Sequence, residues 1–135
     1  MLKRKIEDVL LTWKQEENHK PIVIKGCRQC GKTFSVMKFA HEKYQHVVYL
    51  NFMLNSDYAL AFEGSKVVDD MVINISAMIP GSVFLPKQTC LILDEIQECP
   101  AARTALKFFQ MDGRYDVIAT RSEERRVGKE CRSRW

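Results

Sequence analysis

Residues 26 to 33 read Gly-Cys-Arg-Gln-Cys-Gly-Lys-Thr, and no other stretch restricts the possible folds as tightly. The spacing is G-x-x-x-x-G-K-[ST] without a gap. Ahead of it lies a β-branched run, Ile22-Val23-Ile24, which reads as a short strand. Behind it Phe34, Met37, Phe39 and Ala40 alternate with polar residues to about Tyr44, which reads as a helix. Glycines let a loop curl without a Cβ in the way, so successive backbone N–H groups and the helix N-terminus face one point. Such a point attracts anions. A glycine-bearing turn that merely precedes a lysine is the plainer reading, and the strand before and helix after weigh against it.

The rest of the chain repeats the alternation. Ile6, Val9, Leu10 and Trp13 fall on one face of a leading helix. A second strand is expected at Val47 to Phe52 and a short helical turn at Asp57 to Phe62. A helix follows at Val67 to Ile79, where Val68, Val72, Ile73 and Ile75 would also suit a strand, and Pro80-Gly81 stops it. Cys90 to Leu93 is the third apolar strand. Pro100 starts another helix with Ala102, Leu106 and Phe109 on its buried face, and Asp112-Gly113 turns into a fourth strand, Tyr115 to Thr120. Alternating strands and helices imply an α/β fold: three layers, helices on both sides of a mostly parallel sheet.

With 135 residues and 46% hydrophobic content the chain suits one domain. The longest apolar runs fall far short of a membrane span and the N-terminus lacks a signal core, so the expectation is cytoplasmic with no membrane association. Five cysteines without a secretion signal read as reduced thiols. Cys27 and Cys30 form a C-x-x-C, but no second Cys or His pair follows at finger-like spacing, so they read as small loop residues. His19, His41 and His46 lie apart and read as solvated.

The formal net charge is +4, and its placement matters more than its size. Residues 121–135 carry six Lys/Arg and three Asp/Glu, a net of +3, which leaves residues 1–120 with fifteen and fourteen, a net of +1. A nearly neutral body gives nucleic-acid binding no support. Residues 121–135, RSEERRVGKECRSRW, lack helical or strand periodicity. All fifteen codons fit an in-frame translation of a standard short-read sequencing adapter, so the segment is read as a non-native tail without packed core. The domain is expected to span residues 1–120 and the chain to be a fragment.

Two further residues bear on the chemistry of the loop. The apolar strand Cys90-Leu91-Ile92-Leu93 delivers Asp94 and Glu95 to the end of the sheet where ligands bind in open α/β folds. In a glycine loop of this kind the candidate phosphate-binding residues are Gly26, Cys27, Arg28, Gln29, Cys30, Gly31, Lys32 and Thr33. Lys32 is placed for the β and γ phosphates of a nucleotide and Thr33 for Mg²⁺. Asp94 would then hold Mg²⁺ directly or through water, and Glu95 would orient or deprotonate an attacking water. The plainer reading of the acidic pair is a solvated strand end that caps the next helix.

Arg28-Gln29-Cys30-Gly31-Lys32-Thr33, Tyr49-Leu50-Asn51-Phe52, Leu93-Asp94-Glu95-Ile96-Gln97 with Cys99-Pro100, and Leu106-Lys107-Phe108-Phe109 resemble a prokaryotic AAA-type P-loop ATPase family. Its members usually carry a C-terminal domain of unknown function, nuclease-like in fold. The resemblance runs from the leading helix to Thr120. It implies ATP and Mg²⁺ as ligands, catalytic roles for Lys32 and Glu95, and an extra strand between the phosphate-loop strand and the Asp94 strand. It also implies that Val47 to Phe52 is the outer strand, and that a strand beyond Thr120 flanks Ile22 to Ile24. In the family the strand matching Val117 to Thr120 leads into Gly-Ser, whose hydroxyl senses the γ-phosphate; here Arg121 stands in place of the glycine, followed by Ser122. Gln97 reads either as a partner of Glu95 or as a surface helix-start residue.

The leading expectation is an ATPase that uses hydrolysis to move an attached C-terminal domain or a protein partner, with a homo-oligomer as one arrangement. Arg103 and Arg114 are candidates for contact with a neighbouring subunit. The alternatives are a nucleotide-binding switch with little hydrolysis and, less favoured, a nucleic-acid-associated ATPase.

Overall fold

The computed structural model describes residues 2–16, 20–26 and 31–122, with side chains in the first helix from Ile6 onward. Among these residues four strands form one sheet: β1 (Ile22–Gly26), β2 (His46–Asn51), β3 (Thr89–Asp94) and β4 (Asp116–Ser122). Their spatial order is β1-β4-β3-β2 and every pairing is parallel. β4 therefore separates β1 from β3, and β2 is the outer strand, as the resemblance implied. Among the described residues β1 is the other edge.

Among the described residues four α-helices cover the two faces: α1 (Leu2–Gln15), α2 (Lys32–Lys43), α3 (Val68–Met78) and α4 (Pro100–Asp112). The side-chain alternation of a strand sorts the core into two halves. Cys90 and Ile92 of β3, with Ile24 and Ile118, pack under Ile6, Leu10 and Trp13 of α1 and Val36, Phe39 and Ala40 of α2. Leu91 and Leu93, with Val48, Leu50, Val117 and Ala119, pack against Met71 and Ile75 of α3 and Ala102, Ala105 and Phe109 of α4. All six residues of β3 are buried, which explains its unbroken apolar run.

Local signals set the element ends. The Trp13 indole N–H donates to the Lys20 carbonyl and ties the end of α1 to the start of β1. In the segment that suited either a helix or a strand, Val68, Met71 and Ile75 are buried while Ile73 is exposed, so the helical spacing decides it. Pro100 opens α4 and Gly113, at φ 75°, closes it.

One boundary is corrected. β4 does not stop at Thr120: Arg121 pairs with Lys25 and Ser122 with Gly26. Ser122 is 3% exposed, so the expectation that the packed domain ends at Thr120 fails by two residues. The ladder offered by β1 sets that end, and it acts on residues whose own sequence shows no strand periodicity. Residues 123–135 lie outside the described residues. No helix among the described residues is long and apolar enough to cross a membrane.

Candidate functional site

The site lies at the C-terminal end of the sheet, where the parity of the strands gathers polar groups onto one face. On the side covered by α2, β3 presents Cys90 and Ile92, so the next residue of that parity, Asp94, faces α2 as well. By the same count β4 presents Ile118, Thr120 and Ser122, and β2 presents Tyr49 and Asn51. α2 starts above them with Lys32 and Thr33.

These residues make direct contact. Thr33 Oγ1 lies 3.0 and 3.3 Å from the two Asp94 carboxylate oxygens and shares its one proton between them. Lys32 Nζ donates to Ser122 Oγ at 2.8 Å and stands 3.9 Å from Glu95 Oε2. Ser122 Oγ donates to Glu95 Oε2 at 3.1 Å. Lys32, Asp94 and Glu95 are 3%, 1% and 8% exposed, a degree of burial that charged groups reach only with partners.

Alternation would send Glu95 to the far face with Leu93. Its backbone instead adopts φ 61°, ψ 50°, a left-handed conformation uncommon outside glycine and asparagine. That turn swings the carboxylate back over the strand end to Lys32 and Ser122. Gln97 holds it there: its amide nitrogen donates to Glu95 Oε1 at 2.9 Å, and its carbonyl oxygen accepts the Ser122 backbone N–H at 3.3 Å. Of the two readings of Gln97, the structure has the partner of Glu95.

The start of α2 is open to an anion. Gly31 caps it at φ 82° with no side chain of its own to bond the first N–H groups, and its first turn has no acidic residue. Gly26 ends β1 beside the stem of Lys32. Cys27, Arg28, Gln29 and Cys30 lie outside the described residues.

Tyr49 and Thr120 reach Asp94 from the two neighbouring strands. The Tyr49 phenol donates to Asp94 Oδ2 and the Thr120 hydroxyl to Oδ1. Burial, then the hydrogen bond to Asp94, push the Tyr49 phenol up to about 12. Sequence reasoning assigns Tyr49 and Thr120 no role, because each meets Asp94 only through strand pairing. Their one local signal is a polar side chain near a strand end, at the parity of a buried position. Arg114, a candidate for subunit contact, is bound within the chain to Asp112 at 2.9 Å and Asp69 at 2.6 Å. Cys90 and Cys99 are buried free thiols, and burial raises both.

A family model described as an AAA domain matches residues 18–135. Among solved structures, PCH-2 from C. elegans is similar at 18% identity with a TM-score of 0.47, over 95% of this chain and 38% of that one. The chain thus spans well under half the length of that protein. No curated protein matches the chain.

Proposed function

The chain belongs to the AAA domain family, a nucleotide-binding ATPase-type fold, and on that premise we propose that it binds ATP with Mg²⁺ through Gly26 to Thr33 and Asp94. We assign hydrolysis of that ATP to the same site. The observation that carries this reading is the convergence of Lys32, Thr33, Asp94 and Glu95 from one helix and one strand onto a single point.

The residues fit a magnesium nucleotide. Lys32, Asp94 and Glu95 together leave one excess negative charge in a buried cluster, which a divalent cation would offset. The Thr33 hydroxyl and the Asp94 carboxylate are hard oxygen donors side by side, as Mg²⁺ requires. Thr33 and Asp94 would hold Mg²⁺, which would supply positive charge against the negative charge that develops on the phosphate. Lys32 binds the β and γ phosphates, and the start of α2 behind Gly31 adds backbone N–H groups. Glu95 takes a proton from water, and Gln97 keeps its carboxylate oriented.

The test separates binding from chemistry. Glu95→Gln keeps size and hydrogen bonding but removes the base. ATP binding should persist while single-turnover hydrolysis falls by roughly 10² to 10⁴. Hydrolysis at the wild-type rate would remove Glu95 from the mechanism.

A second reading is a nucleotide switch with little hydrolysis. It draws on the engagement of Glu95 by Gln97, Ser122 and Lys32, which leaves its carboxylate occupied. Slow wild-type turnover at full ATP occupancy would favour it. Work on an attached C-terminal domain, or on a protein partner within a homo-oligomer, is the proposed use of the hydrolysis.

A further inference from the structure

Each oxygen of Asp94 receives the end of a short relay from a neighbouring strand. On the β4 side the Glu95 backbone N–H donates to Thr120 Oγ1 at 3.0 Å, and the Thr120 hydroxyl donates on to Asp94 Oδ1. On the β2 side Asn51 Nδ2 donates to the Tyr49 oxygen at 3.1 Å, and the Tyr49 hydroxyl donates on to Asp94 Oδ2. A hydroxyl has one proton to give. Because each oxygen already accepts from the group behind it, that proton is aimed at Asp94, and chained bonds of this sort reinforce one another.

The strand geometry explains how a tyrosine comes to serve here. Asn51 faces Asp94 in the β2–β3 register, and Tyr49 lies two residues earlier on the same face. Two residues of strand rise about 6.6 Å, a span that a tyrosine side chain covers. The ring packs with the residues under α1 and α2 while its oxygen arrives level with the carboxylate.

We propose that Tyr49 is a positioning residue for the divalent cation: it fixes Asp94 Oδ2 so that the carboxylate edge beside Thr33 is presented to the metal. This rests on the reading that Thr33 and Asp94 hold Mg²⁺. Thr120 steadies the other oxygen, but it also carries the Glu95 N–H, so its loss disturbs two groups. The Tyr49 hydroxyl donates to Asp94 alone. Asn51 keeps its own role without it, since its side-chain oxygen accepts the Met53 and Leu54 N–H groups at 2.9 Å each.

The experiment measures ATP binding to the full chain by calorimetry, first in EDTA and then across a Mg²⁺ titration, for wild type, Tyr49→Phe and Asp94→Asn. Tyr49→Phe keeps the packed ring, and its thermal unfolding is recorded alongside. The Mg²⁺ concentration for half-maximal enhancement should rise about 10- to 100-fold in Tyr49→Phe, the usual scale for losing a group that orients a metal ligand. Its affinity in EDTA should match wild type. A Mg²⁺ requirement unchanged in Tyr49→Phe but raised in Asp94→Asn overturns the role of Tyr49 and leaves the metal site standing. Equal losses in EDTA and Mg²⁺ mean that the hydroxyl is only structural, which also overturns it. An unchanged requirement in both variants overturns the metal reading itself. Absence of ATP binding by wild type overturns the nucleotide reading beneath both.

Discussion

Lys32 Nζ and Glu95 Oε2 stand 3.9 Å apart, with the Ser122 hydroxyl bonded to both. The cation at the start of α2 thus faces the carboxylate assigned as base, so Lys32 bears both on the proposed phosphate site and on Glu95.

Lys32→Ala removes that cation. A hydrogen bond to a charged group contributes about 1.5–3 kcal/mol, so ATP affinity should fall roughly 10- to 100-fold. Calorimetry on the variant checks this, and an unchanged affinity would take Lys32 out of the phosphate site.

Thr120→Val keeps the shape of a fully buried residue but deletes a hydroxyl that accepts from the Glu95 N–H and donates to Asp94. A buried donor left without a partner costs about 1–3 kcal/mol. Denaturant unfolding should register that loss, and Thr120→Ser, which restores the hydroxyl, should recover most of it.

The two described glycines of the loop should respond differently to alanine. Gly31 sits at φ 82° with nothing within 4 Å of an added Cβ, so its cost is backbone strain alone. A left-handed alanine costs about 1–2 kcal/mol. At Gly26 an added Cβ would meet Lys32 Cδ at 3.6 Å, an ordinary contact. Gly26→Ala should therefore stay within about 0.5 kcal/mol of wild type. Thermal unfolding of the pair checks the contrast.

Chains ending at Thr120 and at Ser122 should differ in stability. The shorter one loses the pairing of Arg121 and Ser122 with β1 and the Ser122 bonds to Lys32, Glu95 and Gln97. At about 0.5–1.5 kcal/mol per bond, the longer chain should be the more stable by a margin that unfolding curves resolve. Coincident curves would show that the two residues add nothing.

Much of this architecture was legible because the signals are local. The motif at Gly26 to Thr33 declares a strand before it and a helix after it, and Cys90 to Leu93 declares a strand buried on both faces; β1, α2 and β3 are as expected, with β3 one residue longer at each end. The Asp94–Thr33 contact followed from the loop motif and the acidic pair taken together. What the sequence hid is what strand pairing makes. Tyr49 meets Asp94 across the β2–β3 ladder, and Thr120 meets it across β3–β4. Ser122 lies in a segment whose lack of periodicity and codon pattern argue against packing, yet the free length of β1 opposite it sets the end of β4. The left-handed turn at Glu95 has no glycine or asparagine to announce it.

That turn constrains inheritance at this strand in an uneven way. Most apolar replacements inside β3 trade one buried side chain for another and leave Asp94 facing α2. Loss or gain of a single residue between Thr89 and Asp94 would instead transpose the two faces, sending Asp94 toward α4. Glu95 would then turn away from Lys32. The strand is free to drift in spelling but not in count, so lineages that keep the acidic pair should keep the interval from Thr89 to Glu95 fixed and admit insertions only upstream of Thr89.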